Sequence, residues 1–420
     1  MRTATASYLA AAAFGAFWGT WGSAVPAIRD QAGLDDAGLG TALLFISAGA
    51  LPAMLLAGRA LDRWGLRCNA LFTAALGVTG LVVALTAHSL AGLCAALTLV
   101  GVASGAADVG MNSTGGRAER ESDRPVITRS GAVFSCAVVV SSLGTGGAFA
   151  LGAPIWAPFS AVLVISIVAG AAIKRTLSDE RPPNSATAAR VTAIAPLILV
   201  GVLGAIAFAS ENAHQSWGAV FLQDVLDTGP GVSAFAPAAF AAVVATTRFA
   251  VSTLNPAHAR TVLILGALVA ATGATVLARA PNVPAALAGL VLAAAGTAAL
   301  FPTLLSIVSR NVAESARGRA TSIVTVVAYT GFLLGPVYVG LWSSAAGLRG
   351  AMIAVAALGV ALAALTLPLL ALSRYRVTLR PDERAAKTKT NERAAQARTD
   401  EPAAQTRTNE RAARTDTPPG

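Results

Sequence analysis

Gly58-Arg59-Ala60-Leu61-Asp62-Arg63-Trp64-Gly65-Leu66-Arg67 is a hydrophilic, glycine-bracketed interruption between two apolar runs, 37–57 and 69–88. Each flanking run is long enough for an α-helix to cross the roughly 30 Å hydrocarbon core of a bilayer, which takes about 20 mostly apolar residues. The same reading applied outward gives twelve such runs: 6–28, 37–57, 69–88, 90–112, 128–150, 154–173, 193–221, 232–252, 260–280, 283–306, 319–342 and 347–371. None alternates apolar with polar residues, which argues against a membrane β-barrel. The expected fold is all-α and integral to the membrane. Met1-Arg2 followed by an apolar run resembles the start of a secretion signal, but the run is long and many others follow, so it reads as the first span.

Composition agrees. Of 420 residues, 55% are hydrophobic and only 12% charged, with a mean hydropathy of +0.64. A soluble domain carries about a quarter charged residues. The net charge of +10 would suggest nucleic acid in a soluble protein; its placement here points to lipid instead. Counted with the N-terminus inside, the loops on the inner side hold seventeen Lys and Arg, from Arg2 and Arg59 to Arg319, against Arg29, Arg279 and Arg349 on the other side. That asymmetry places both termini in the cytoplasm by the positive-inside rule. An odd number of spans would scramble it.

The chain divides into a six-helix half, 1–173, a charged and proline-bearing cytoplasmic linker, 174–192, a second six-helix half, 193–372, and a polar tail, 373–420. The tail repeats Thr-Asn-Glu-Arg-Ala-Ala at 390–395 and 408–413. It has too few large apolar residues to order itself and reads as a disordered extension. Two such halves suit a carrier with its solute site between them, near the midplane.

The loop 58–67 resembles the signature loop of the major facilitator superfamily, Gly-x-Leu-Ala-Asp-Arg-x-Gly-Arg followed by Arg or Lys. It departs at Ala60-Leu61, which are inverted, and at Leu66, which replaces a basic residue. The resemblance implies a gating role for Gly58, Asp62, Arg63, Gly65 and Arg67, latching the two halves at the cytoplasmic side. In local terms, Gly58 and Gly65 would permit the turn, and Asp62 would complement a helix N-terminus. The corresponding loop of the second half, Arg248–Arg260, keeps the flanking arginines but lacks the aspartate.

Three further stretches are similar to the MosC-like and YbjJ-like branch of that superfamily: Gly105-Ala106-Ala107-Asp108-Val109-Gly110-Met111-Asn112; Glu211 followed by Ser216-Trp217-Gly218-Ala219-Val220-Phe221-Leu222-Gln223-Asp224; and the runs Gly296–Pro302, Gly331–Pro336 and Gly347–Arg349. Ser216 stands where the branch has an aspartate, and Thr128–Ser135 lacks its Phe-His. The branch implies a small polar solute, with an inositol-type molecule as one suggestion.

Ionisable groups inside a bilayer are expensive and usually functional. Asp108 falls near the cytoplasmic end of the fourth span, on one polar stripe with Ser104 and Asn112 at i, i+4 and i+8. It reads as a proton or substrate carboxylate facing the cavity, or as a structural partner of Arg129. Glu211, placed in the outer half of the seventh span, shares a face with His214 and Gln215; binding or proton coupling competes with a gate or helix-end contact. Trp18 and Trp21 could wall a ring-shaped solute or simply pack, and Thr325 and Tyr329 stand under the same two readings. No Lys or Arg is expected deep in a span, which favours a neutral or cationic solute over an anion.

The chain lacks a phosphate-binding Gly-x-x-x-x-Gly-Lys-Ser/Thr loop. Cys68, Cys94 and Cys136 are isolated, with no metal or redox spacing. No cofactor or metal is expected, and no nucleic acid. The expectation is a secondary transporter, not an enzyme, that moves a small neutral or cationic polar solute across the cell (inner) membrane by alternating access, as a monomer and driven by a proton gradient. A drug or metabolite exporter of the same superfamily is the alternative, and an integral-membrane enzyme, for which the sequence shows neither a metal cluster nor paired catalytic carboxylates, is the reading from a different class.

Overall fold

The computed structural model describes residues 2–122, 125–177, 194–252, 258–312 and 316–375. Most of the linker, the tail beyond 375 and part of the loop 248–260 therefore lie outside the described residues. The helices are α1 (Arg2–Gln31), α2 (Asp36–Trp64), α3 (Cys68–Thr86), α4 (Leu90–Ser122), α5 (Val126–Ala150), α6 (Trp156–Thr176), α7 (Ala195–Leu226), α8 (Pro230–Ser233), α9 (Phe235–Ser252), α10 (Ala259–Arg279), α11 (Val283–Thr297), α12 (Leu300–Asn311) and α13 (Arg317–Ser373).

Three of these boundaries depart from one helix per span. The run 232–252 is a short α8 and a longer α9, and the run 283–306 is broken between α11 and α12. In the other direction, α13 covers two spans. Its backbone turns at Gly347, with φ 70°, and the chain folds back so that the Tyr338 hydroxyl donates to the Ala354 carbonyl at 2.9 Å. Among the described residues ten helices are long and apolar enough to cross a membrane. Dividing the last at Gly347 makes eleven, and α1 makes twelve. α1 is less apolar because Ala, Gly, Ser and Thr fill a helix that packs on α3–α7 and α9 more than on lipid.

The two halves repeat one pairing plan. In the first, α1 packs on α5, α2 on α4 and α3 on α6; in the second, α7 packs on α13, α9 on α11 and α10 on α13. Lipid offers no hydrophobic drive between helices, so close approach through small residues has to hold them. A Cβ on Gly105 would lie 2.7 Å from the Ala50 carbonyl oxygen, and one on Gly335 would lie 3.0 Å from that of Ala209. The outward faces carry Leu71, Val140, Val168, Leu341 and Leu372, all exposed as a lipid-facing surface requires.

Candidate functional site

The candidate site is built in the second half from α7, α9, the α11–α12 joint and the first part of α13, with Asp108 of α4 as the candidate group of the first half. From the first half comes Asp108, half-buried. Its carboxylate accepts a 3.0 Å hydrogen bond from the Asn112 amide one turn on. Its partner is thus this neighbouring amide, and the Arg129 pairing weighed from sequence is not formed. From the second half comes Glu211, close to the middle of the 32-residue α7. Tyr329 of α13, also singled out from sequence, packs edge-on against Phe208 of α7.

Arg248 is the cation that pairs with Glu211. It starts near one end of α9, but Nη2 donates to Glu211 Oε1 at 3.0 Å and Nε to the Ala298 carbonyl at 3.2 Å. The Gln215 amide also faces Glu211 Oε1, at 3.5 Å. His214 goes elsewhere. It is 1% exposed, stacked on Phe240 with centroids 6.1 Å apart, and its Nδ1 lies 2.7 Å from the Ser210 carbonyl oxygen. A carbonyl only accepts, so Nδ1 carries the proton.

Phe208 centres an aromatic cluster with Phe301 at 4.3 Å, Tyr329 at 5.6 Å and Phe332 at 6.2 Å. Thr325 lies one turn before Tyr329, half-buried. The Asn212 amide donates to the Phe332 carbonyl at 2.8 Å, and Ser216 donates to Asn212 Oδ1 at 2.9 Å. Ser216, where an aspartate was expected, therefore serves a neutral network tying α7 to α13. Trp18 meets Phe17 and Phe14 edge-on, and Trp21 is buried at 3% in the core of the bundle.

The signature loop is only partly as expected. Gly65 makes the turn, with φ 80° and its N–H on the Leu61 carbonyl. Gly58 lies inside α2, and a Cβ there would meet nothing within 4 Å; the turn rests on Gly65 alone. Arg67 Nε donates to the Leu177 carbonyl at the end of α6, at 2.7 Å. Arg63 lies over Trp64, 5.9 Å from the ring. Asp62 is exposed and has no partner among the described residues.

Polar links between the halves are found at the opposite, arginine-poor end. Arg29 of α1 pairs with Asp224 of α7 as well as with Asp30 and with Asp36 of α2, and Asp36 accepts from Ser343 of α13. Gly40 and Gly340 pack backbone to backbone beside them.

Sequence reading missed Arg248, Phe208, Phe301 and the Arg29–Asp224 pair. Pro302 was the available signal for the first: it has no N–H, so the carbonyl four residues earlier, Ala298, needs another donor.

A family model described as Major Facilitator Superfamily matches residues 7–257 and 257–412. The uncharacterized transporter y4wD of Sinorhizobium fredii is 29% identical over 80% of this chain and 89% of its own length. The membrane protein MosC of Rhizobium meliloti is 27% identical over 82% and 84% respectively. Among solved structures, a bacterial homolog to the human lysosomal transporter Spinster aligns with a TM-score of 0.71 at 17% identity, over 90% of this chain and 97% of that one. A D-xylose–proton symporter gives 0.68 at 14%, over 87% and 95%. The last two show a shared fold. The chain is a multi-pass membrane transporter and belongs to the Major Facilitator Superfamily.

Proposed function

We propose that this secondary transporter moves a small neutral or cationic polar solute by alternating access and couples the movement to protons through Asp108 and Glu211. The observation that carries the reading is that each half sets one carboxylate in an apolar helix with a polar group holding it: Asp108 with the Asn112 amide and Glu211 with the Arg248 guanidinium. A group able to take a proton at an interface that opens to alternate sides is what coupling requires. The preference for a neutral or cationic solute now has a different basis. Arg248 is engaged with Glu211, and Asp108 has an amide for its partner, so two carboxylates stand against one guanidinium. An anion would add to the excess negative charge, whereas a cation would relieve it and could rest on the aromatic faces of Phe208 and Tyr329.

The positive-inside rule assigns the arginine-rich end to the cytoplasm, in the cell membrane, with both termini there. The links Arg29–Asp224 and Asp36–Ser343 then close the outer side, and the unpartnered Asp62 fits a latch that engages only in the opposite state. In our reading Trp18, Asn112, Gln215 and Thr325 line the solute path between the halves, whereas Trp21 and His214 pack. The aromatic cluster supports a second reading, export of a more apolar metabolite or drug.

The test uses the full chain in proteoliposomes with a panel of labelled polyols and primary or quaternary amines. For the solute that enters, Glu211→Gln and Asp108→Asn keep shape but cannot titrate. At least one should lose accumulation driven by an imposed pH gradient, by tenfold or more, while retaining exchange between equal pools. If both still accumulate solute, neither carboxylate couples protons.

A further inference from the structure

The tenth span is broken where its sequence requires it. Pro302 cannot donate to the Ala298 carbonyl, α11 ends at Thr297, and α12 starts at Leu300. In a membrane an orphaned backbone carbonyl must find another donor, and it finds Arg248 Nε at 3.2 Å. The other arm of the same guanidinium holds Glu211 at 3.0 Å. Immediately before Pro302 stands Phe301, whose ring centroid lies 4.3 Å from that of Phe208 in the aromatic cluster. One side chain of α9 thus touches an ionisable group on α7 and the joint of a discontinuous helix.

We infer that Arg248 is a positioning residue that transmits the charge state of Glu211 to the α11–α12 joint, and with it to Phe301. The inference rests on the reading of Glu211 as a coupling carboxylate. With Glu211 ionised, a charge-assisted hydrogen bond, roughly twice as strong as a neutral one, fixes the guanidinium, and Nε stays on Ala298. When Glu211 takes a proton, that restraint is lost. The long side chain regains its rotamers, and the Ala298 carbonyl loses its donor. The joint then loosens beside the aromatic wall. Arginine suits this task because its planar fork reaches two acceptors at once, while a lysine ammonium is a single point.

Among the described residues the ionisable groups around Glu211 are few. On α7 the next is His214, turned onto Phe240. On α9 it is Arg248 itself, on α13 Tyr329, and across the interface on α4 Asp108. α11 has none, and the Arg310 of α12 is bonded to Ser306 at the far end of that helix.

Amide hydrogen exchange of the segment 294–305 reads the joint directly, on the full chain in lipid nanodiscs between pH 5.5 and 8, corrected for intrinsic exchange. Wild type should be protected at high pH and exchange several-fold faster as the pH falls. Glu211→Gln and Arg248→Lys should both be fast at every pH. Pro302→Ala restores an N–H that can reach the Ala298 carbonyl, so Arg248→Lys combined with Pro302→Ala should become slow and independent of pH. Rescue of that kind would not follow from a general loss of packing. The link is overturned if Glu211→Gln exchanges like wild type with its pH dependence intact, or if the double variant stays fast. Should the exchange pattern hold while both carboxylate variants still accumulate solute, the link stands and the coupling reading fails; the converse pair of results removes Arg248 and leaves the coupling reading in place.

Discussion

Gly58 and Gly65 bracket one loop motif yet meet opposite demands. Gly65 has φ 80° and ψ 176°, a region essentially reserved for glycine, where another residue costs about 1–3 kcal/mol. Gly58 is helical with open space where a Cβ would go, and glycine in a helix interior is worse than alanine by about 0.5–1 kcal/mol. Thermal unfolding of the purified protein should therefore move in opposite directions: down for Gly65→Ala, unchanged or up for Gly58→Ala. A fall of equal size for both would mean that Gly58 also supports the turn. The pattern Gly-x-x-x-x-x-x-Gly made the two look alike, because sequence records the residue type and not its dihedral angles.

At the scale of elements, packing between α2 and α4 depends on small residues on both helices. Gly105 faces the backbone of Ala50, with a Cβ position 2.7 Å from its carbonyl oxygen and 3.0 Å from its Cα. Backbone cannot swing aside as a side chain can, so Gly105→Ala forces the helices apart, an overpacking of about 1–3 kcal/mol. The yield of monodisperse protein should drop clearly for this variant. Gly131 of α5 has nothing within 4 Å of its Cβ position, and Gly131→Ala should leave the yield unchanged. Equal yields from both would show that the α2–α4 interface is softer than its geometry implies. The broken tenth span and the turn at Gly347 belong to this scale too. Pro302 and Gly347 were both visible as residues, but whether a helix bends, breaks or reverses depends on which donors and neighbours lie beside it.

For the whole molecule, the arginine-poor end holds the halves together through Arg29. Its side chain is 11% exposed and that of Asp224 29%, between the exposed pairs that contribute about 0–1 kcal/mol and buried ones whose breakage costs about 3–5. Each 1.4 kcal/mol is tenfold in a two-state population, so Asp224→Asn should shift the protein several-fold toward the form open at that end. Labelling of a cysteine introduced at Asn212 or Gln215 by a membrane-impermeant reagent added outside should rise accordingly. Unchanged labelling would assign the closure to the Gly40–Gly340 packing instead.

The twelve spans, the one-sided arginines and the membership read from residues 58–67 were legible without coordinates. Each depends on a local property, the length of an apolar run, the position of a charge or the order of neighbours, and the bilayer converts such one-dimensional patterns into topology. Asp108, Glu211 and Tyr329 were also legible as rare polar groups in apolar helices. The pairing of Arg248 with Glu211, 37 residues away, was not, nor was that of Arg29 with Asp224, 195 residues away. Such pairs depend on the tilt and rotation of each helix about its axis, which are set by packing against neighbouring helices. The tertiary structure alone decided which carboxylate carries a cation and which does not.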